Sequence, residues 1–158
     1  REGERNKFFG IIISGSVEET QAVGERLGQV LRPGDVVALR GELGSGKTTF
    51  VQGVARGLDY EGPVSSKSFV ILGQYAGRVT LYHADLYRLE DPQQVQELAL
   101  DEITADGVLA LEWPERAERV LPEERLLIRF EVTGEETRRL HLEPRGERAE
   151  ALAGALHD

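Results

Sequence analysis

The spacing of apolar positions changes period several times along the chain, and each change marks a different element. Residues 8–13 form a short apolar run of strand length. Ser16-Val17-Glu18-Glu19 follows, the spacing at which a serine caps a helix and a glutamate three residues on reaches back. Val23, Leu27, Val30 and Leu31 then recur at helical spacing, and Arg32-Pro33-Gly34-Asp35 stops the helix with a turn. Val36-Val37-Ala38-Leu39 has no polar alternation, which suits a strand covered on both faces in a parallel sheet. A glycine-rich turn leads into a second helical pattern over residues 48–58, with Gly57 placed as its cap.

The second half adds strands of another kind. Residues 69–75 and 79–83 read as two strands joined through Ala76-Gly77-Arg78, a connection of hairpin length. Pro92 opens a short helix whose apolar side is Val95 and Leu98. Val108-Leu109-Ala110-Leu111 is a second wholly apolar run, and it ends in Glu112. Residues 126–132 alternate, turn at Gly134 and return through Leu140-His141-Leu142, before a last helix over 147–156. Strands and helices interleave, so the class is α/β with antiparallel additions. One domain spans residues 1–158, with 1–7 and about 147–158 expected at its periphery.

Composition narrows the chemistry. The 19 Lys and Arg stand against 28 Asp and Glu, a net charge of −9. So acidic a chain is a poor holder of nucleic acid by itself, because phosphate neutralisation supplies most of that affinity. The absence of cysteine excludes disulfides, thiol nucleophiles, iron–sulfur clusters and thiolate zinc sites. His83, His141 and His157 are too scattered in sequence for a metal site. The charged start (1–7) and the brevity of the apolar run after it match neither a signal peptide nor a spanning helix, so a cytoplasmic location is expected. The charges between Glu135 and Glu150 read as a solvated, mixed-sign surface.

Against that background one segment carries chemistry. Gly41-Glu42-Leu43-Gly44-Ser45-Gly46-Lys47-Thr48 matches the phosphate-binding loop, glycine, four residues, then Gly-Lys-Ser/Thr. Glycines let backbone N–H groups close around phosphate oxygens. Lys47 brings an ammonium to the terminal phosphates, the Thr48 hydroxyl can ligate Mg²⁺, and the helix starting there adds its positive end. The strand before and the helix after supply the required context. A second acid is then needed for the metal shell or the attacking water, and two strand ends offer one, Asp85 and Glu112. The plainer alternatives are a helix cap or a partner of Arg88 for Asp85, and a surface carboxylate for Glu112. Trp113, the single tryptophan, either packs over the site or fills the core. One of Arg138 and Arg139 is within reach of a nucleotide on a minority reading.

Four segments together resemble one family. Residues 41–49 resemble a loop usually written G-[DE]-L-G-A-G-K-T-T, and His83-Ala84-Asp85-Leu86-Tyr87-Arg88-Leu89 resembles an H-x-D-L-Y-R-L box. Glu112-Trp113-Pro114 resembles an E-W-P triplet, and Glu19-Thr20 with Pro33-Gly34-Asp35 match the first helix and its turn. The family is the bacterial TsaE ATPase of tRNA threonylcarbamoyladenosine biosynthesis, and the likeness runs from about residue 14 to 132. It implies a P-loop NTPase-like three-layer sandwich with a mostly parallel central sheet. It further implies a weak Mg²⁺-dependent ATPase, taking ATP and Mg²⁺ and working with TsaD and TsaB on adenosine 37 of tRNAs reading codons that begin with A. The tRNA would be met through those partners, and neither DNA nor membrane is implicated.

By the same resemblance Leu43, Gly44, Ser45, Gly46, Lys47, Thr48 and Thr49 wrap the phosphates, and Thr48 and Glu112 hold Mg²⁺. Asp85 acts in hydrolysis or in sensing the γ-phosphate, while Ser16, Thr20 and an arginine near Arg139 lie by the nucleoside. The family's S-P-T-F/Y switch is Ser66-Lys67-Ser68-Phe69 here, so a hydroxyl is kept while Lys67 frees a backbone that proline would fix. A small-molecule or nucleotide kinase is the competing class, but apart from Arg138-Arg139 no arginine cluster that could form a lid is evident between the core strands. A GTP-dependent switch would carry an Asn-Lys-x-Asp box, and Asn6-Lys7 is followed by Phe8-Phe9.

Overall fold

A computed structural model describes residues 10–64, 72–86, 102, 105–116 and 121–157. In order these give β1 (Ile11–Ser14), α1 (Val17–Val30), β2 (Val36–Arg40), α2 (Lys47–Gly57), β3 (Leu72–Tyr75) and β4 (Thr80–Asp85). Then come β5 (Gly107–Glu112), a 3-10 turn (Pro114–Arg116), β6 (Arg125–Val132), β7 (Arg138–Arg145) and α3 (Glu147–Ala155). The described strands form one seven-stranded sheet of order β1-β7-β6-β2-β5-β4-β3. Its four central strands, β6, β2, β5 and β4, pair in parallel, and β7, β1 and β3 add antiparallel to the edges. The two runs without polar alternation are the sheet's middle: β5 is buried throughout, and β2 is buried from Val36 to Leu39.

Alternate strand residues go to different cores. Val37, Leu39, Leu81, Val108, Ala110, Leu126, Ile128 and Leu140 pack with α1, α2 and α3 in the larger one. Val36, Ala84, Leu109 and Leu111 belong to a smaller cluster with Leu86 and Leu121 on the opposite face. The short helix expected from Pro92 lies outside the described residues.

Two local expectations need correcting. Gly57 does not cap α2; it is the helix's last residue, and Leu58 closes the end by donating to Val54 O at 3.0 Å. Gly57 is instead where α1 and α2 touch. A Cβ on Gly24, Gly28, Gly53 or Gly57 would stand 2.0–2.3 Å from a carbonyl oxygen of the facing helix. The Gly-x-x-x-Gly spacing on both helices thus lets the two backbones meet. The closing segment is also not peripheral, because Ala149, Leu152, Ala153 and Leu156 are buried in the larger core. Arg148 locks α3 down with a forked pair of bonds to the buried Asp35 carboxylate, both at 2.9 Å.

The capping box is nearly as expected. Ser16 Oγ accepts from Glu19 N at 3.1 Å, while Glu19 Oε1 accepts from Gly15 N, one residue before the cap. This fixes where α1 begins, and therefore where its first turn stands against the phosphate loop.

Candidate phosphate-binding site

The loop from Gly41 to Gly46 links the end of β2 to the start of α2, at the carboxyl edge of the parallel strands where open α/β sheets bind ligands. Gly44 (φ 78°) and Gly46 (φ 109°) hold left-handed conformations that side chains disfavour, and these two make the loop curl. Gly46 stands at the N-cap of α2 without a side chain to cap it. The first-turn N–H groups of that helix are therefore left for a ligand, with the positive end of the helix dipole behind them. Gly44, Gly46, Lys47, Thr48 and Thr49 line a cavity of about 400 Å³ there.

Lys47 is 4% exposed, an unusual position for an ammonium. Its Nζ donates to Gly41 O at 2.6 Å, stands 3.9 Å from Glu112 Oε1 and lies 4.0 Å from the centroid of the Trp113 ring. Burial pushes this amine below its ordinary value of 10.5, and the carboxylates of Glu112, Asp85 and Glu115 oppose the shift. Glu112 ends β5 at 3% exposure, with Oε2 2.6 Å from His83 Nε2. Strand register sets Asp85 beside Glu112, and both line the cavity. Trp113 follows at φ 61°, a sparsely populated conformation for a large side chain. Its backbone N–H donates to Leu39 O at 3.2 Å, and its ring both walls the cavity and packs against the smaller core. Both readings of Trp113 therefore describe it.

The other sequence-derived candidates divide. Leu43 and Thr20 line the cavity, with Thr20 Oγ1 2.7 Å from Ser14 Oγ. Ser16 serves as the helix cap, and its neighbour Val17 reaches the cavity instead. Ser45 is buried, and its Oγ has no hydrogen-bond partner among the described residues. Arg139 is not at the site. The period of two in β7 sends it outward, 3.8 Å from Glu131, and puts Arg138 at the cavity. Ser66, Lys67 and Ser68 lie outside the described residues.

Sequence reasoning passed over His83 as a buried partner of Glu112, and Glu136 as part of the cavity wall. The signal for His83 was there: two residues before Asp85 on a strand, it must share Asp85's face. As a donor set, the Thr48 hydroxyl with the Glu112 and Asp85 carboxylates suits a hard cation that keeps waters and takes phosphate oxygens, which is how Mg²⁺ binds. Among the described residues no three His, Cys, Asp or Glu cluster into a complete metal cage.

Comparison with known proteins gives this geometry a context. The family model for the threonylcarbamoyl adenosine biosynthesis protein TsaE matches residues 14–140. The Bacillus subtilis tRNA threonylcarbamoyladenosine biosynthesis protein TsaE is 41% identical over 145 residues, covering 89% of this chain and 90% of that protein. The protein of the same name from Treponema pallidum is 37% identical over 129 residues, 81% and 96% of the two chains. The crystal structure of Bacillus subtilis YdiB superposes with a TM-score of 0.78 at 36% identity, over 93% of each chain. The phosphate loop, both acidic strand ends and Arg138 all fall inside the matched span. The chain belongs to the TsaE family of threonylcarbamoyladenosine biosynthesis proteins.

Proposed function

We propose that this chain is a Mg²⁺-dependent ATPase that supports formation of the N6-threonylcarbamoyl group on adenosine 37 of tRNAs reading codons that begin with A, together with TsaD and TsaB. Family membership supports the pathway. The ATPase reading rests on one observation above the rest: a buried lysine held between Gly41 O and Glu112 at the open start of α2. The net charge of −9 fits a protein that leaves tRNA contacts to its partners, and the work is placed in the cytoplasm.

Phosphoryl transfer to water needs positioning and charge neutralisation more than covalent help from the protein. Backbone N–H groups of the loop and of the first turn of α2 hold the phosphate oxygens, and the Lys47 ammonium meets the terminal ones. Thr48 and Glu112 would hold Mg²⁺, which would supply positive charge to offset that of the phosphates. His83 keeps one Glu112 oxygen engaged and thereby fixes how the carboxylate is turned. Asp85, beside it at the cavity, orients the attacking water or reports the γ-phosphate. The Trp113 ring shields Lys47 from solvent, which strengthens its field at the phosphates.

The test is calorimetric titration with ATP and Mg²⁺. Lys47→Ala is expected to weaken binding about 100-fold or more, since the ammonium is the point charge on the terminal phosphates. Unchanged affinity in that variant would overturn the assignment.

A further inference from the structure

Arg138 lines the cavity, yet its hydrogen bonds run to backbone carbonyls of two separate segments. Nε donates to Ser45 O at 2.8 Å, and Nη2 reaches Gly44 O at 3.4 Å, so one edge of the guanidinium holds the phosphate loop. Nη1 donates to Thr137 O at 2.9 Å, Gly134 O at 3.1 Å and Glu135 O at 3.3 Å, within the turn between β6 and β7. The planar fork suits this bridging, and a lysine could not span it.

We infer that Arg138 is a positioning residue for the phosphate loop, one that fixes the loop's amides by holding its carbonyls. The inference rests on the phosphate-loop reading and deepens it. A trans peptide is planar, with C=O and N–H pointing in opposite directions. Pinning Ser45 O therefore fixes the direction of the Gly46 N–H, which points away from Arg138. The same holds more weakly for Gly44 O and the Ser45 N–H, which is already committed to Glu42 O at 3.1 Å. Withdrawing electron density through the carbonyl also makes the Gly46 N–H a stronger donor. Gly46 is the residue that most needs such a hold, because glycine at φ 109° restricts itself least. The clamp has a second consequence. The turn it grips is exposed, and Glu136 in that turn accepts from Val17 N at 3.4 Å, so turn, loop and the start of α1 form one connected wall of the cavity.

Inorganic tripolyphosphate separates this role from contact with a nucleoside, because it has phosphates and no base or sugar. Tripolyphosphate and ATP, each with Mg²⁺, are titrated into the wild type, Arg138→Ala and Arg138→Lys, with melting temperatures recorded alongside. The clamp predicts a loss of about tenfold or more on both ligands, by a similar factor, in the alanine variant. It predicts little recovery in the lysine variant, and a displaced Gly46 amide resonance in either variant before ligand is added. Loss on ATP alone would overturn it by making Arg138 a nucleoside contact. Wild-type affinity in Arg138→Lys would overturn it by reducing the residue to a charge, and that variant decides the matter if the alanine protein does not fold. Should the wild type take up neither ligand, the phosphate-loop reading itself fails and the clamp with it.

Discussion

The two ends of one helix–loop unit are built on opposite terms. Along its length α2 meets α1 through four glycines, backbone against backbone. At its start the same helix presents Lys47, buried against the Glu112 carboxylate that His83 also engages. The glycine seam holds the unit in place and contributes stability. The charged group spends some of that stability, since burial works against the Lys47 ammonium. Structure and chemistry in this protein thus sit a few residues apart on one element, and substitutions are expected to separate them.

Gly53→Ala is the harshest way to break the seam, because its Cβ would stand 2.0 Å from Gln21 O with backbone on both sides. A cost of about 3 kcal/mol is expected, a fall of roughly 6 to 12 °C in melting temperature for a chain of this length. Thermal denaturation checks it, and a melting point within a degree of wild type would show that the helices can part freely. Lys47→Ala sharpens the contrast from the other end. It should remove ATP binding while lowering the melting temperature less than Gly53→Ala does.

The charged group also has a pH signature. Lys47 titrates below 10.5 when folded, so the ammonium is lost earlier in alkaline solution than an exposed lysine would lose it. ATP affinity is expected to fall as pH rises through that lowered value. Between it and 10.5 the unfolded chain binds the extra proton, so this residue's contribution to stability rises with pH over the same interval. Titrations at stepped pH read the first effect, and flat affinity across the alkaline range would contradict it. Smallest of all is Ser45→Ala. The Ser45 hydroxyl is buried without a partner among the described residues, at a place where the family pattern has alanine, so its removal should stabilise by about 1 kcal/mol and leave ATP affinity unchanged.

Much of this was legible in the sequence. The wholly apolar runs of β2 and β5 announced the parallel middle of the sheet, and Ser16 with Glu19 placed the start of α1. The loop pattern located Lys47 and Thr48 without ambiguity. What escaped was whatever depends on two distant segments meeting. Gly57 looked like a cap because glycines end helices, and only the approach of α1 reveals its use. Arg138 and Arg139 are adjacent and chemically alike, and choosing between them needed the face of β7. His83 read as scattered because its partner Glu112 comes from another strand, 29 positions on. The last helix was expected at the periphery because the mixed-charge run that begins at Glu135 extends into its first turn, whereas Ala149, Leu152, Ala153 and Leu156 place its other side in the core.

The most direct measurement is ATP hydrolysis by this protein alone and after adding its matching TsaB and TsaD. A slow Mg²⁺-dependent rate that rises when the pair is added is the result expected. A rate indifferent to the pair, or no hydrolysis in either condition, would contradict the proposal that the phosphate loop drives tRNA modification as an ATPase.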